Sequence, residues 1–193
     1  HLLPERRRIL AAALPLVPFD SWTGKLLPEA AVAAGLEPSA ALRAFPGGAV
    51  ELALFHVQEV DRQMLEELEG QDLAAMKIRD RIATAIRVRL ERQAGNREAI
   101  RRAVALFALP NNMPAALQSL YRTVDAIWHA AGDTATDFNF YSKRLLLAGV
   151  YSATLMYWLE DKSDGSARTW TFLDRRIADI MRLQKFRGRL DGL

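Results

Sequence analysis

The sequence predicts an all-α protein. Alanine, leucine, arginine and glutamate dominate its 193 residues, and these favour helix over strand. Apolar residues recur at three- and four-residue steps through most of the chain, and no segment alternates apolar and polar residues as a half-buried strand would. Half of the residues are hydrophobic and a quarter are charged, an ordinary globular composition in a chain long enough to bury a core without staples.

Taken in order, residues 5–14 (ERRRILAAAL) read as a helix ended by Pro15 and Pro18, and FDSWTGKL as an irregular connection. Residues 28–34 make a short helix with proline in its first turn, where the missing N–H costs nothing, and Gly35 follows as a C′ residue. Residues 38–45 make a second short helix, closed by Pro46, Gly47 and Gly48. Long helices follow over 49–69, with Val50, Leu54, Val57, Met64 and Leu68 on one side, and over 73–93, with Met76, Ile82, Ile86 and Leu90. Gly95 and Asn96 break the pattern. Residues 97–109 and 112–131 are two more helices, split by LPNNMP. Asp133, Thr134 and Thr136 offer caps for a helix over 137–161, which is apolar on nearly every face. After the turn KSDGSA, residues 168–186 carry Trp170, Leu173, Ile177, Ile180 and Met181 on one stripe. The expectation is about nine helices, divided into a segment of short helices at 1–47 and a long-helix domain at 48–193.

The composition excludes several classes of chemistry. There is no cysteine, so disulfides, thiolate nucleophiles and zinc–thiolate sites are out. No Glu-x-x-His pair, Gly-rich phosphate loop or nucleophile elbow occurs. His129 follows Asp125 by one helical turn, an ordinary surface pair. The chain reads as a non-enzyme that needs no cofactor and no metal. The net charge of +3 permits a nucleic-acid or anionic-membrane partner without demanding one. Arg79, Arg87, Arg89 and Arg92 do not share a face and read as a solvated surface, with an anionic partner surface as the sharper alternative. No apolar run approaches the roughly 20 residues that span a bilayer, and Arg6, Arg7 and Arg8 precede too short an apolar stretch for a signal peptide. The expected location is cytoplasmic or peripheral to a membrane.

Short helices around a tight glycine turn, then long helices, resemble a TetR-type regulator. In LLPEAAVAAGLEPSAALRAFP, Ala30, Gly35 and Leu36 match the small residue, turn glycine and apolar plug of a helix-turn-helix, and Leu42 and Phe45 match its closing apolar positions. The second helix offers only Glu37, Ser39 and Arg43 to DNA, and base edges and phosphates need more donors than that. DNA is therefore not the expected partner. The competing reading remains a DNA-binding regulator with an apolar effector pocket, and the plainest is a helical scaffold that binds no lipid.

The C-terminal third carries a more specific likeness. Asp137, Asn139, Phe140, Tyr141, Lys143 and Arg144 match a D-x-N-W-Y-x-R-R segment. Glu160, Asp161, Lys162 and Ser163 match a Q/E-D-x-S turn. Thr169, Trp170, Phe172, Leu173, Arg176 and Ile177 match a T-W-x-F-L-x-x-R-I helix. Together they resemble the ubiquinone-biosynthesis accessory family known as Coq-nine. That resemblance implies a TetR-like fold, a helical core that binds lipids including isoprenoid quinones, and assistance to the di-iron demethoxyubiquinone hydroxylase. An apolar lining for the lipid, whether isoprenoid quinone or phospholipid, is then expected from Leu106, Phe107, Leu109, Met113, Leu117, Leu120, Tyr121, Val124 and Trp128 on two helices. Leu146, Val150, Tyr151, Leu155 and Trp158 on a third would complete it. Asp137, Phe140, Tyr141 and Arg144 resemble the family's docking surface for the hydroxylase, with Phe140 standing where the family has tryptophan. TetR-like folds dimerise through their last two long helices, so a homodimer through 137–161 and 168–186 is expected, and it overlaps that docking surface. The resemblance places the chain on the inner face of a bacterial inner membrane or the matrix side of the mitochondrial one. Family members carry a further amphipathic helix that lies on membranes; the sequence in hand ends at Leu193, after KFRGRLDGL.

Overall fold

The computed structural model describes residues 2–132, 139–190 and 192, with the backbone alone for Asn139 and Phe140. The described residues are all helical or irregular, with no strand, as expected. Among the described residues ten α-helices follow one another: α1 (Leu3–Ala13), α2 (Val17–Asp20), α3 (Leu26–Ala33), α4 (Pro38–Ala44), α5 (Gly48–Glu69), α6 (Ile78–Glu91), α7 (Arg97–Phe107), α8 (Met113–Ala130), α9 (Asn139–Glu160) and α10 (Ala167–Leu190). They form two compact units that do not follow chain order. The first holds residues 1–60 and 93–119, the second 61–92 and 120–193.

Two elements differ from expectation. Val17–Asp20 is helical, because Pro18 lies in the first turn, where its missing N–H leaves no gap. The segment expected as one helix over 73–93 breaks. Leu73–Ala75 form a 3₁₀ turn, Met76 and Lys77 are extended, and α6 starts only at Ile78. The Arg81 side chain holds this break by donating to the carbonyls of Met76 (2.9 Å), Ala74 (3.1 Å) and, at the end of α8, Ala131 (3.0 Å).

In the first unit, α1, α3 and α4 close over Ile9, Leu10, Leu26, Leu27, Ala30, Ala31, Ala41 and Phe45. Small alanines let the short helices approach closely. Gly35 has φ +72°, Leu36 N–H donates to the Ala31 carbonyl (2.9 Å) and Gly35 N–H to that of Val32 (2.9 Å). This Schellman pair of bonds ends α3, and only glycine adopts its backbone angle without strain. Phe45 closes the segment as expected, but Leu42 is 63% exposed. The buried face of α4 is Ala40, Ala41 and Ala44, and Leu42 falls one residue outside it. Glu51 caps the start of α5 by accepting the Gly47 N–H (2.7 Å), and its other oxygen accepts Arg6 Nη2 (3.0 Å).

In the second unit α9 and α10 pack along each other and both meet α6. The core contains Met64, Leu68, Ile82, Ile86, Leu90, Ile127, Leu147, Trp158, Leu173 and Ile177.

Candidate functional site

The apolar character of α9 on every face has a structural reading. One face, with Leu147, Val150, Tyr151, Thr154 and Trp158, is buried in the second unit. The opposite face is also uncharged and lies exposed: Tyr141 at 71%, Leu145 at 76%, then Gly149, Ala153 and Tyr157 at successive four-residue steps. Residues four apart lie on one side of a helix, so this is a continuous apolar strip beside a buried one. Arg144 is turned the other way. It is buried, and its Nε donates to Asp125 Oδ1 (2.9 Å), tying α9 to α8. Of the expected docking residues, Tyr141 thus faces solvent and Arg144 faces the unit. Asp137 and the Phe140 side chain lie outside the described residues.

The expected lining residues fall into three groups. Val124, Trp128, Val150, Tyr151 and Trp158 are buried in the second unit, with Leu120, Leu146 and Leu155 partly buried there. Leu106 and Phe107 pack against the core of the first unit. Leu109, Met113, Leu117 and Tyr121 are about half exposed, at 53%, 45%, 59% and 45%, and recur every four residues. Among the described residues the indole Nε1 of buried Trp128 has no hydrogen-bond partner, and the Lys143 ammonium lies 5.9 Å from its ring centre.

A polar cluster sits inside the second unit that the sequence reading assigned to the surface. Arg89 Nε donates to Asp61 Oδ1 (2.8 Å) and Nη1 to the Tyr151 hydroxyl (2.7 Å), while the Thr123 hydroxyl donates to Asp61 Oδ2 (2.8 Å). Four helices, α5, α6, α8 and α9, each contribute one member. Burial works against the Arg89 charge, but Tyr151 and Asp61 outweigh it and its pKa lies above the ordinary value. Burial likewise pushes the Tyr151 phenol up, against the pull of Arg89. A signal was available. Arg89 falls seven residues after Ile82 on the apolar stripe of α6, and Asp61 seven after Leu54 on that of α5. A charge within an apolar stripe predicts a buried pair.

The E-D-K-S turn is a staple between helices. Asp161 Oδ1 accepts the backbone N–H (2.8 Å) and hydroxyl (2.6 Å) of Ser163, and Oδ2 accepts the N–H (2.9 Å) and hydroxyl (2.6 Å) of Thr169. Its slight burial raises the carboxyl pKa, but these four bonds win and hold it well below the usual carboxylate range. Trp170 Nε1 donates to the Gly165 carbonyl (2.8 Å) and the Arg87 guanidinium lies over its ring at 5.2 Å. Thr169, Leu173 and Ile177 are buried. Most of the recognisable C-terminal motif therefore builds the junction of α9 and α10. Among the described residues no group of histidines and carboxylates is placed to hold a metal ion. No described helix is long and apolar enough to cross a membrane.

Residues 113–184, from the start of α8 into α10, match the family model COQ9. The chain is 36% identical over 185 residues to the ubiquinone biosynthesis protein COQ9, mitochondrial, of Rattus norvegicus, covering 92% of this chain and 59% of that protein. The chain is thus similar to the COQ9 family over most of its own length. The family's Homo sapiens member is 34% identical over 92% of this chain and 58% of its own length, and that of Drosophila melanogaster 33% over 97% and 59%. The chain thus spans about three fifths of the length of these family members. In fold it is similar to a TetR transcriptional regulator from Nitrosomonas europaea, with a TM-score of 0.75 at 23% identity, covering 91% of this chain and 97% of that one. The fold is TetR-like, and the likeness extends to fold alone.

Proposed function

We propose that the chain is a non-catalytic, lipid-binding accessory of ubiquinone biosynthesis. The observation that carries this reading is α9, apolar on its buried and exposed sides alike within the segment that matches the family. A helix with one apolar face needs only a core; a second apolar face calls for a second apolar contact. In this reading the exposed strip around Tyr141 and Leu145 docks the di-iron demethoxyubiquinone hydroxylase, or a second copy of the chain. Leu109, Met113 and Leu117, exposed on the first unit, meet the lipid tail. Arg144 contributes by fixing α9 on α8. The division of labour is between residues 1–47, a scaffold derived from a helix-turn-helix, and 48–193, the lipid-binding domain. The setting is the inner face of a bacterial inner membrane or the mitochondrial matrix side, since the animal relatives are mitochondrial by name.

DNA is not part of the proposal. The few donors of α4 are engaged with each other, Arg43 Nη1 donating to the Ser39 hydroxyl (3.1 Å), and Val32 and Leu42 stand exposed on the same short helices.

Native mass spectrometry of the purified protein, with organic extraction, tests the carrier role. The expected result is a quinone, isoprenoid or phospholipid at about one per chain, lost in Leu117→Ser. A chain that stays empty when offered ubiquinone in detergent would overturn the carrier role and leave docking, read by whether Tyr141→Ala abolishes binding to the hydroxylase.

A further inference from the structure

A second pattern on α10 owes nothing to the lipid reading. Arg168, Arg175, Arg182 and Arg189 recur every seven residues along this helix, and all four are exposed. Seven residues bring an α-helix back to nearly the same face, with a drift of about 20°. The four guanidinium groups therefore form a line about 32 Å long, one every ~10.5 Å. Phe172 and Phe186 each follow one of these arginines by four residues and stand beside the line. At its start Arg168, Thr171, Phe172 and Arg175 line a groove of about 420 Å³ together with Tyr157. The Phe172 and Tyr157 rings stack there, 4.6 Å between centroids and 12° from parallel.

The four arginines lack the carboxylate partner that several others have. Arg6 pairs with Glu51, Arg7 with Glu59, Arg87 with Glu91, Arg89 with Asp61 and, on α10 itself, Arg176 with Asp179. Among the described residues no carboxylate pairs with Arg168, Arg175, Arg182 or Arg189. Arg8, Arg43 and Arg81 also pair with no described carboxylate and donate instead to carbonyls or a hydroxyl, but the four arginines of α10 form a regular row on one face, where Asp179 is already engaged by Arg176.

We propose that this face of α10 docks an acidic α-helix of a partner protein, with carboxylates at seven-residue spacing. Charge complementarity sets the sign of the partner, and the period sets its shape. A strict seven-residue repeat keeps facing a neighbour only when that neighbour is a helix winding round it in a left-handed sense. A flat anionic membrane has no such register and engages Lys185 and Arg187 as readily as Arg182. The Tyr157–Phe172 stack and Phe186 add apolar contact between the charges.

The test is fluorescence anisotropy with the full chain and a synthetic helical peptide bearing glutamate at every seventh position of one face. A permuted peptide of the same composition is the control. The heptad peptide is expected to bind at least about tenfold tighter than the control. Each single Arg→Gln change is expected to weaken it about two- to fourfold, the range of exposed ion pairs, and R168Q/R175Q/R182Q/R189Q together about 30-fold or more. Reversing the charges on both sides, Arg→Glu in the chain and Glu→Lys in the peptide, restores binding. Thermal melts confirm that these exposed changes leave the fold intact. Equal binding of both peptides, or none of the heptad peptide, would overturn the proposal. So would dependence on the four arginines seen only in pelleting with phosphatidylserine–phosphatidylcholine vesicles, which would assign the face to a membrane.

Discussion

In the first unit the turn between α3 and α4 is closed mainly by backbone: two N–H groups return to carbonyls around Gly35, over a bed of alanines, and Arg8 Nη2 adds a bond to the Ala34 carbonyl (2.6 Å). In the second unit the turn between α9 and α10 is closed by one side chain, the carboxylate of Asp161, which gathers four donors. The same contrast runs through the two interiors. In the first unit the Arg7–Glu59 ion pair keeps its arginine partly in water, with Arg7 40% and Glu59 10% exposed. In the second unit Arg89 and Asp61 are 6% and 13% exposed. Backbone closure is indifferent to pH and to most substitutions. Closure by ionised side chains fixes a geometry more sharply, at the risk that a single change leaves a charge stranded.

That contrast can be broken at its strongest point first. Arg89→Ala leaves Asp61 buried without its cation and is expected to cost about 3–5 kcal/mol, read as the shift in a urea melt. The double change Arg89→Met with Asp61→Leu is expected to recover most of that loss, because no charge is then stranded. An Arg89→Ala protein as stable as the parent would show that the second unit does not rest on its buried pair.

Asp161→Ala comes next, at about 2 kcal/mol, since it removes a charged acceptor of helix-capping bonds. Its pH dependence sharpens the assignment. The folded-state pKa of Asp161 is lowered, so its stabilisation is fully present above the ordinary carboxylate value, about 3.9, and fades as pH falls below that toward the folded value. The difference in melting temperature between parent and Asp161→Asn should therefore hold steady from neutral pH down to about 5 and shrink below about 4. A difference that stays constant into strong acid would assign the staple to neutral hydrogen bonding. The smallest effect belongs to the first unit. Gly35→Ala meets only Arg8 Nη2, at 3.8 Å, so its cost is that of a positive φ alone, about 1 kcal/mol, with no change in pH dependence.

The two units also differ in how far they could be read from the chain. Gly35 and Phe45 follow from local rules, so the helix-turn-helix shape was legible, although Leu42, expected as a closing residue, is exposed. The period located Ile82, Ile86 and Leu90 on α6 and Leu173 and Ile177 on α10, but on α5 it located only Met64 and Leu68, since the first half of that helix buries Leu52, Ala53, Phe55 and Val60 instead of Val50, Leu54 and Val57. Arg89 and Asp61 were not recognised, because arginine and aspartate default to the surface, although both interrupt an apolar stripe in phase. Arg144 was expected on a docking surface and is buried against Asp125, a partner nineteen residues away that only the packing of α8 on α9 brings near. Pro18 misled as a helix breaker where it is a helix starter. Periodicity could not tell which face of α9 is core, because nearly every face is apolar. Only the packing of its neighbours separates the Leu147 and Tyr151 side from the Leu145 side.

The Asp161 staple has a mechanical consequence. It sits at the vertex of two rods, α9 of 22 residues and α10 of 24, each about 33–36 Å long. With arms of that length, a rotation of ~5° at the vertex carries the far tip by about 3 Å, roughly a carbon–carbon van der Waals contact. One carboxylate with four tethers therefore works as the bearing of a pair of callipers. It helps to aim α10 along α9, so the far ends of both helices are steered in part by a residue that touches neither.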